Sequence, residues 1–206
     1  MTTAWTIKPP VWHVPRDWAG ERCYILCGGA SLVAQRTVVP TLPGRVIAIK
    51  QSVRLRPDAD VMFIAGEHAW ENCRDVFPTF RGAYMVARGK SDARFPETTR
   101  RIGRSAADVL SDDPTKVCGR DAGTSAINLA YLFGATEIVL LGYDMTGGHW
   151  CASHPLPFPP HEHFRRHLEV LPPIARALTA NGVRVVNCSP GSVVTVFDRG
   201  RLEDWL

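Results

Sequence analysis

Six short apolar runs punctuate the chain, and none alternates strictly with polar residues. They cover residues 23–27 (CYILC), 46–49 (VIAI), 61–65 (VMFIA), 83–87 (AYMVA), 138–141 (IVLL) and 183–187 (VRVVN). A strand with one wet face shows a period of two, whereas a near-continuous run fits a strand covered on both faces. Segments of helical spacing lie between these runs. Residues 67–77 place Ala69, Trp70, Cys73, Val76 and Phe77 on one face. Residues 124–133 do the same with Ile127, Ala130 and Tyr131, and Thr124 or Ser125 suits the N-cap. Residues 162–181 are helical too, with Pro172 and Pro173 expected to break or kink the helix and Gly182 to close it. This alternation predicts an α/β, Rossmann-like fold: a mostly parallel sheet with helices on both faces. Residues 90–119 show no clear period. Without a repeat or a low-complexity linker, residues 1–206 read as a single domain, with residues 1–20 as a Pro-rich N-terminal arm.

At 206 residues and 45% hydrophobic, the chain can bury a sizeable core. Its best candidate span, residues 126–143, is interrupted by Asn128, Gly134, Thr136 and Glu137 and falls short of the ~20 apolar residues that a bilayer needs. The opening MTTAWTIKPPVWHVPRDW has no secretory pattern, so a cytoplasmic protein is expected. Six scattered cysteines without a CxxC pair then read as reduced thiols. The formal charge is +4, and only Lys8, Lys50, Lys90 and Lys116 among the 24 basic residues are lysine. That modest charge disfavours a nucleic-acid partner. The cluster Arg100, Arg101 and Arg104 suits a phosphate-bearing ligand.

Ligands of such sheets bind beyond the C-terminal ends of the strands. After the first run comes CGGASL, where Gly28 and Gly29 permit a tight turn and Ser31 offers a hydroxyl. The turn is suited to holding a phosphate on backbone N–H groups, or it is only a turn. Gly123, Thr124 and Ser125 stand at a helix start, where the dipole favours an anion, or they are ordinary caps. The run 138–141 leads into Gly142, Tyr143 and Asp144, and Asp144 is placed for a ribose hydroxyl or a metal.

Five residues past Asp144 begins HWCASHPLPFPPHEHFRRH, which holds five of the seven histidines. One reading is a zinc site built from His149, Cys151 and His154 with His161, His163 or His167, although the spacing matches no familiar pattern. Another is a solvated loop. The third and favoured reading is a catalytic loop, because the stretch leaves the sheet on the ligand side. His149 and His154 stand nearest the strand end, with ordinary pKa values suited to a general base. Pro155 also restricts His154 to extended backbone.

Taken in order, CYILCGGASL, DAGTSAINLAYLFGATEIVLLGYDM, the histidine loop and GVRVVNCSPGSVVTVF resemble one superfamily. It comprises the family 42 bacterial sialyltransferases, the archaeal 6-hydroxymethylpterin diphosphokinases and related flagellin-modifying proteins. The GGHW…HP wording is most similar to small phage and prophage members, and the likeness spans residues 22–197. It implies a bacterial or phage-infected cell and a nucleotide ligand, with a loop histidine (here His154 or His149) as general base. The nucleotide-binding residues it implies are Gly28, Gly29, Ser31, Lys50, Gln51, Gly123, Thr124, Ser125, Asp144, Ser189 and Ser192. The turn departs from the G-N-G-P-S of the sialyltransferases, Ala122 replaces a serine, and Lys50-Gln51 replaces an asparagine. The resemblance thus implies a nucleotide-dependent transferase, foremost a sialyltransferase-like glycosyltransferase with a nucleotide-activated sugar. One alternative is a pterin diphosphokinase-like enzyme, with Mg²⁺ on Asp144 and Glu67, or on Asp121. The other is a non-catalytic nucleotide-binding phage accessory protein. No zinc comes with the resemblance.

Overall fold

The computed structural model describes residues 11–66, 71, 73–89, 94–152 and 161–206, with residues 161–163 by backbone alone. All six apolar runs are strands. They are β1 (Arg22–Leu26), β2 (Arg45–Ile49), β3 (Val61–Ile64), β4 (Tyr84–Arg88), β7 (Glu137–Leu141) and β8 (Arg184–Asn187). Three more strands carry little apolar signal: β5 (Arg100–Arg104), β6 (Lys116–Val117) and β9 (Asp198–Arg199). They lie at the two edges of one sheet of order β6-β5-β4-β3-β2-β1-β7-β8-β9. An edge strand is short and charged because burial on both faces is not required of it. In β5 only Ile102 is buried. Every described pairing is parallel. The order reverses at β1, which pairs with β2 on one side and β7 on the other.

Both faces of the sheet are covered, as the continuous runs require. Cys23, Ile25 and Ile138 pack beneath α2 (Ala122–Phe133) and α4 (Leu171–Ala180). Tyr24, Leu26 and Met62 pack on the opposite side with Leu32 of α1 (Leu32–Gln35), Cys73, Val76 and the 3-10 turn Leu202–Trp205. All six cysteines are buried, and none is in a disulfide. No helix among the described residues is long and apolar enough to cross a membrane.

Two local expectations are corrected and one is met. Residues 11–20 carry no regular secondary structure and are mostly exposed, with Val14 and Trp18 as their buried anchors: Trp18 stacks on Phe133 at 4.0 Å, and its backbone N–H donates to the Phe133 carbonyl at 2.9 Å. Residues 1–10 lie outside the described residues. The cap of α2 is Asp121 rather than Thr124 or Ser125, and its carboxylate accepts the Thr124 N–H at 2.9 Å. The expected break at Pro172 and Pro173 is present: they sit in the first turn of a separate helix, α4, where their missing N–H groups have no intrahelical partner to lose. The break falls just before them, after α3 (His161–Leu168). Of the expected helix 67–77, residues 67–70 and 72 lie outside the described residues, and Phe77 opens a 3-10 turn, Phe77–Thr79.

Candidate functional site

Where the strand order reverses, a cavity of about 240 Å³ opens at the C-terminal ends of β1, β2 and β7. Its walls include the Gly28–Gly29 turn, Lys50, Asp121, Gly123, Asp144, His149, Phe164 and His167. Two non-glycine residues among those described have left-handed backbone, Lys50 (φ 50°) and Met145 (φ 57°), and both line this cavity. Such backbone is costly and concentrates at functional sites.

The glycine turn is shaped from behind by Asp144. The Ser31 N–H donates to Asp144 Oδ2 at 2.8 Å, and the Ser31 hydroxyl donates to Oδ1. The Gly29 N–H donates to the Gly142 carbonyl at 2.8 Å. A Cβ on Gly29 would stand 2.5 Å from both Asp144 Oδ2 and the Gly142 oxygen. Gly29 is therefore required by the protein's own close approach before any ligand arrives. The burial of the Cys27 thiol, then Asp121 and Asp144, hold its pKa well above the ordinary value, so it is a neutral wall and no nucleophile.

Lys50 leaves β2 pointing into the cavity. The residue is partly exposed at the opening, where the surrounding protein desolvates its ammonium. Desolvation lowers its pKa, with Arg88 adding to the effect and Asp121 opposing it. It forms no hydrogen bond or ion pair among the described residues, and a Cβ on Gly66 would lie 3.4 Å from its Nζ.

After Asp144 the chain curls through positive φ at Met145, Gly147 and Gly148 and returns over the glycine turn. The Trp150 N–H donates to the Gly28 carbonyl at 3.1 Å, and its indole N–H donates to Ser52 Oγ at 3.0 Å. Ser52 in turn donates to the Cys27 carbonyl at 2.8 Å. This brings His149 over the turn, where its Nε2 would be 2.9 Å from a Cβ on Gly28. The Cys151 N–H donates to His149 Nδ1 at 3.0 Å. A neutral ring in that geometry carries its proton on Nε2, so His149 presents a donor to the cavity rather than a basic lone pair. His154, the other expected base, lies outside the described residues.

Asp121 combines two tasks. It caps α2 through the Thr124 N–H and hydroxyl, and the buried Tyr143 hydroxyl reaches its Oδ2 at 3.5 Å. Burial and then Asp121 push the Tyr143 phenol well above its usual pKa. Gly123 is glycine because the Tyr143 ring fills the space a Cβ would need.

Of the residues expected at the nucleotide, the cavity wall brings together Gly28, Gly29, Lys50, Gly123 and Asp144, with His149 beside them. The others stand behind it. Ser31 holds Asp144. Gln51 bonds to Asp75 and Arg54. Thr124 and Ser125 are fully buried under the helix start. Ser189 accepts the Tyr143 N–H, and Ser192 donates to the Tyr143 carbonyl. Glu67 lies outside the described residues. Phe164, which sequence reasoning missed, and His167, expected there only as a candidate zinc ligand, reach the wall from α3. Among the described residues no three His, Cys, Asp or Glu side chains converge as a metal set. Neither a protein-family model nor a curated protein matches this sequence.

Proposed function

We propose that the protein is a nucleotide-dependent transferase, in its first form a sialyltransferase-like glycosyltransferase that uses a nucleotide-activated sugar. The observation that carries this is the desolvated Lys50 ammonium, without an acceptor among the described residues, beside a glycine turn at the sheet's switch point. A desolvated cation is costly unless it meets an anion, and the donor phosphate is the anion that suits it. Lys50 neutralises charge on the phosphate and the His149 Nε2–H donates a hydrogen bond to it as the bond from the sugar's anomeric carbon to the phosphate oxygen breaks. The acceptor hydroxyl forms the new bond to that carbon and gives up its proton to a base, a role that falls to His154 because His149 offers a donor. Asp144 keeps lone pairs for a ribose hydroxyl while it holds Ser31.

The presence of both Asp121 and Asp144 on the wall favours a second form, diphosphoryl transfer from a Mg²⁺–nucleotide. The metal would neutralise phosphate charge there, with the two carboxylates holding it.

A thermal-shift panel of CMP, UDP-sugars, ATP and GTP, with and without Mg²⁺, tests the reading. At least one ligand should raise the melting temperature, and Lys50→Met should lose that rise while its ligand-free melting temperature holds or increases. A full response in Lys50→Met, or no response to any nucleotide in the wild type, would sink it.

A further inference from the structure

Three cations follow one another along the C-terminal edge of the sheet: Lys50 after β2, Arg88 closing β4 and Arg104 closing β5. None of the three has an ion pair with a carboxylate among the described residues. Arg88 is held by Nη1 alone, which donates to the carbonyls of Gly119 (3.0 Å) and Asp121 (3.3 Å) and to Ser125 Oγ. Those acceptors are neutral. Among the described residues Asp121 is the carboxylate that acts on Lys50 and on Arg88, and its oxygens already accept from Thr124 and Tyr143. Arg104 is exposed and has no ion pair among the described residues. The thiols nearest this row add no charge at neutral pH, because burial pushes Cys73 up to about 12 and Cys118 up to about 11. Each cation also works against its neighbour: Arg88 lowers Lys50, and Arg104 lowers Arg88. A row of like charges is unfavourable by itself and becomes favourable when an extended anion spans it.

We propose that the ligand carries a chain of at least two phosphates, the first between Lys50 and the glycine turn and the next reaching along the strand ends toward Arg104. The inference deepens the nucleotide reading by naming its ligand class, a nucleoside di- or triphosphate rather than a monophosphate. It relies on that reading only for what carries the phosphates. Arg88 is the positioning member of the row, since its Nη1 is committed to the start of α2, and Arg104 is the member free to meet the far phosphate.

The test titrates nucleoside mono-, di- and triphosphates of all four bases, and tripolyphosphate and inorganic phosphate alone, against wild type and Arg104→Ser, with and without Mg²⁺. For the base that binds, the di- or triphosphate should bind about tenfold tighter than the monophosphate, as one added charge-assisted contact gives. Arg104→Ser should bring that ratio down to about twofold while the ligand-free melting temperature stays unchanged. Equal affinities for mono- and diphosphates that ignore Arg104 would overturn the phosphate row and leave the nucleotide reading standing. Arg104-dependent binding of tripolyphosphate without any nucleotide response would do the reverse. Loss of the ligand-free fold in Arg104→Ser would contradict the unpaired surface position on which the row depends, and Arg104→Lys, which keeps the charge, should then restore both fold and ratio.

Discussion

The two glycines of the turn look alike in sequence and meet different neighbours. A methyl on Gly29 would press on Asp144 Oδ2 and on the Gly142 carbonyl, both already engaged by the turn's own N–H groups. Neither can withdraw without losing a buried hydrogen bond, so Gly29→Ala should cost about 2–3 kcal/mol. A methyl on Gly28 would meet only the His149 ring, which can swing aside. Gly28→Ala should therefore unfold with a change of less than about 1 kcal/mol, yet blunt the nucleotide response by displacing the Nε2–H. Denaturant melts of the two variants separate these outcomes, and equal costs would contradict the contacts described. The glycine pair was legible as a tight turn. That Asp144 fills the space behind it was not, because 113 residues separate Ser31 from Asp144.

Among the elements, α2 does more than cover the sheet. Asn128, fully buried on it, accepts the N–H groups of Ser111 (3.1 Å) and Cys118 (2.8 Å) and donates to the Ser111 carbonyl (2.9 Å). One amide thereby organises the segment that precedes the helix, for which the sequence showed no period. Asn128→Ala strands two donors and an acceptor in the core and should cost about 3–4 kcal/mol, read as a fall in the denaturant midpoint. Hydrogen exchange should speed up in residues 105–119 before it does in β1. The strands read correctly from their apolar runs are the central ones, where both faces must be dry. β6 and β9 escaped because an edge position relaxes that demand and two-residue strands carry no pattern to read, and β5, next to the edge, buries only Ile102.

At the scale of the whole molecule, the buried thiols set an alkaline limit. Enclosure holds Cys23 and Cys27 well above the ordinary value of 9.0, and lifts Cys73 to about 12 and Cys188 to about 11. Below pH 9 these groups are protonated in folded and unfolded chains alike, and stability does not change on their account. Above it the unfolded chain loses protons that the folded chain keeps, so stability falls with rising pH, by up to ~1.4 kcal/mol per pH unit for each fully enclosed thiol. The melting temperature should hold from pH 7 to 8.5 and drop steeply from pH 9 to 10.5. Cys23→Ala should flatten that drop, and an identical slope in the variant would show that the thiol does not carry it.

By itself the sequence determined that the central strands are buried on both faces, that helices separate them, and that glycines and chemistry-bearing side chains gather after β1 and β7. Those properties are local, being set by side-chain polarity and backbone freedom within a few residues. Only the tertiary structure decided which of those side chains meet. The switch of strand order at β1 brings Lys50, Asp121 and Asp144 to one cavity from positions up to 94 residues apart along the chain. It sends Thr124, Ser125, Ser189 and Ser192 behind the wall as supports, and it turns His149 into a donor through a backbone N–H two residues away. Hydrogen-bond partners are assigned by the packing of whole elements, and a linear pattern of residue types carries no record of that packing.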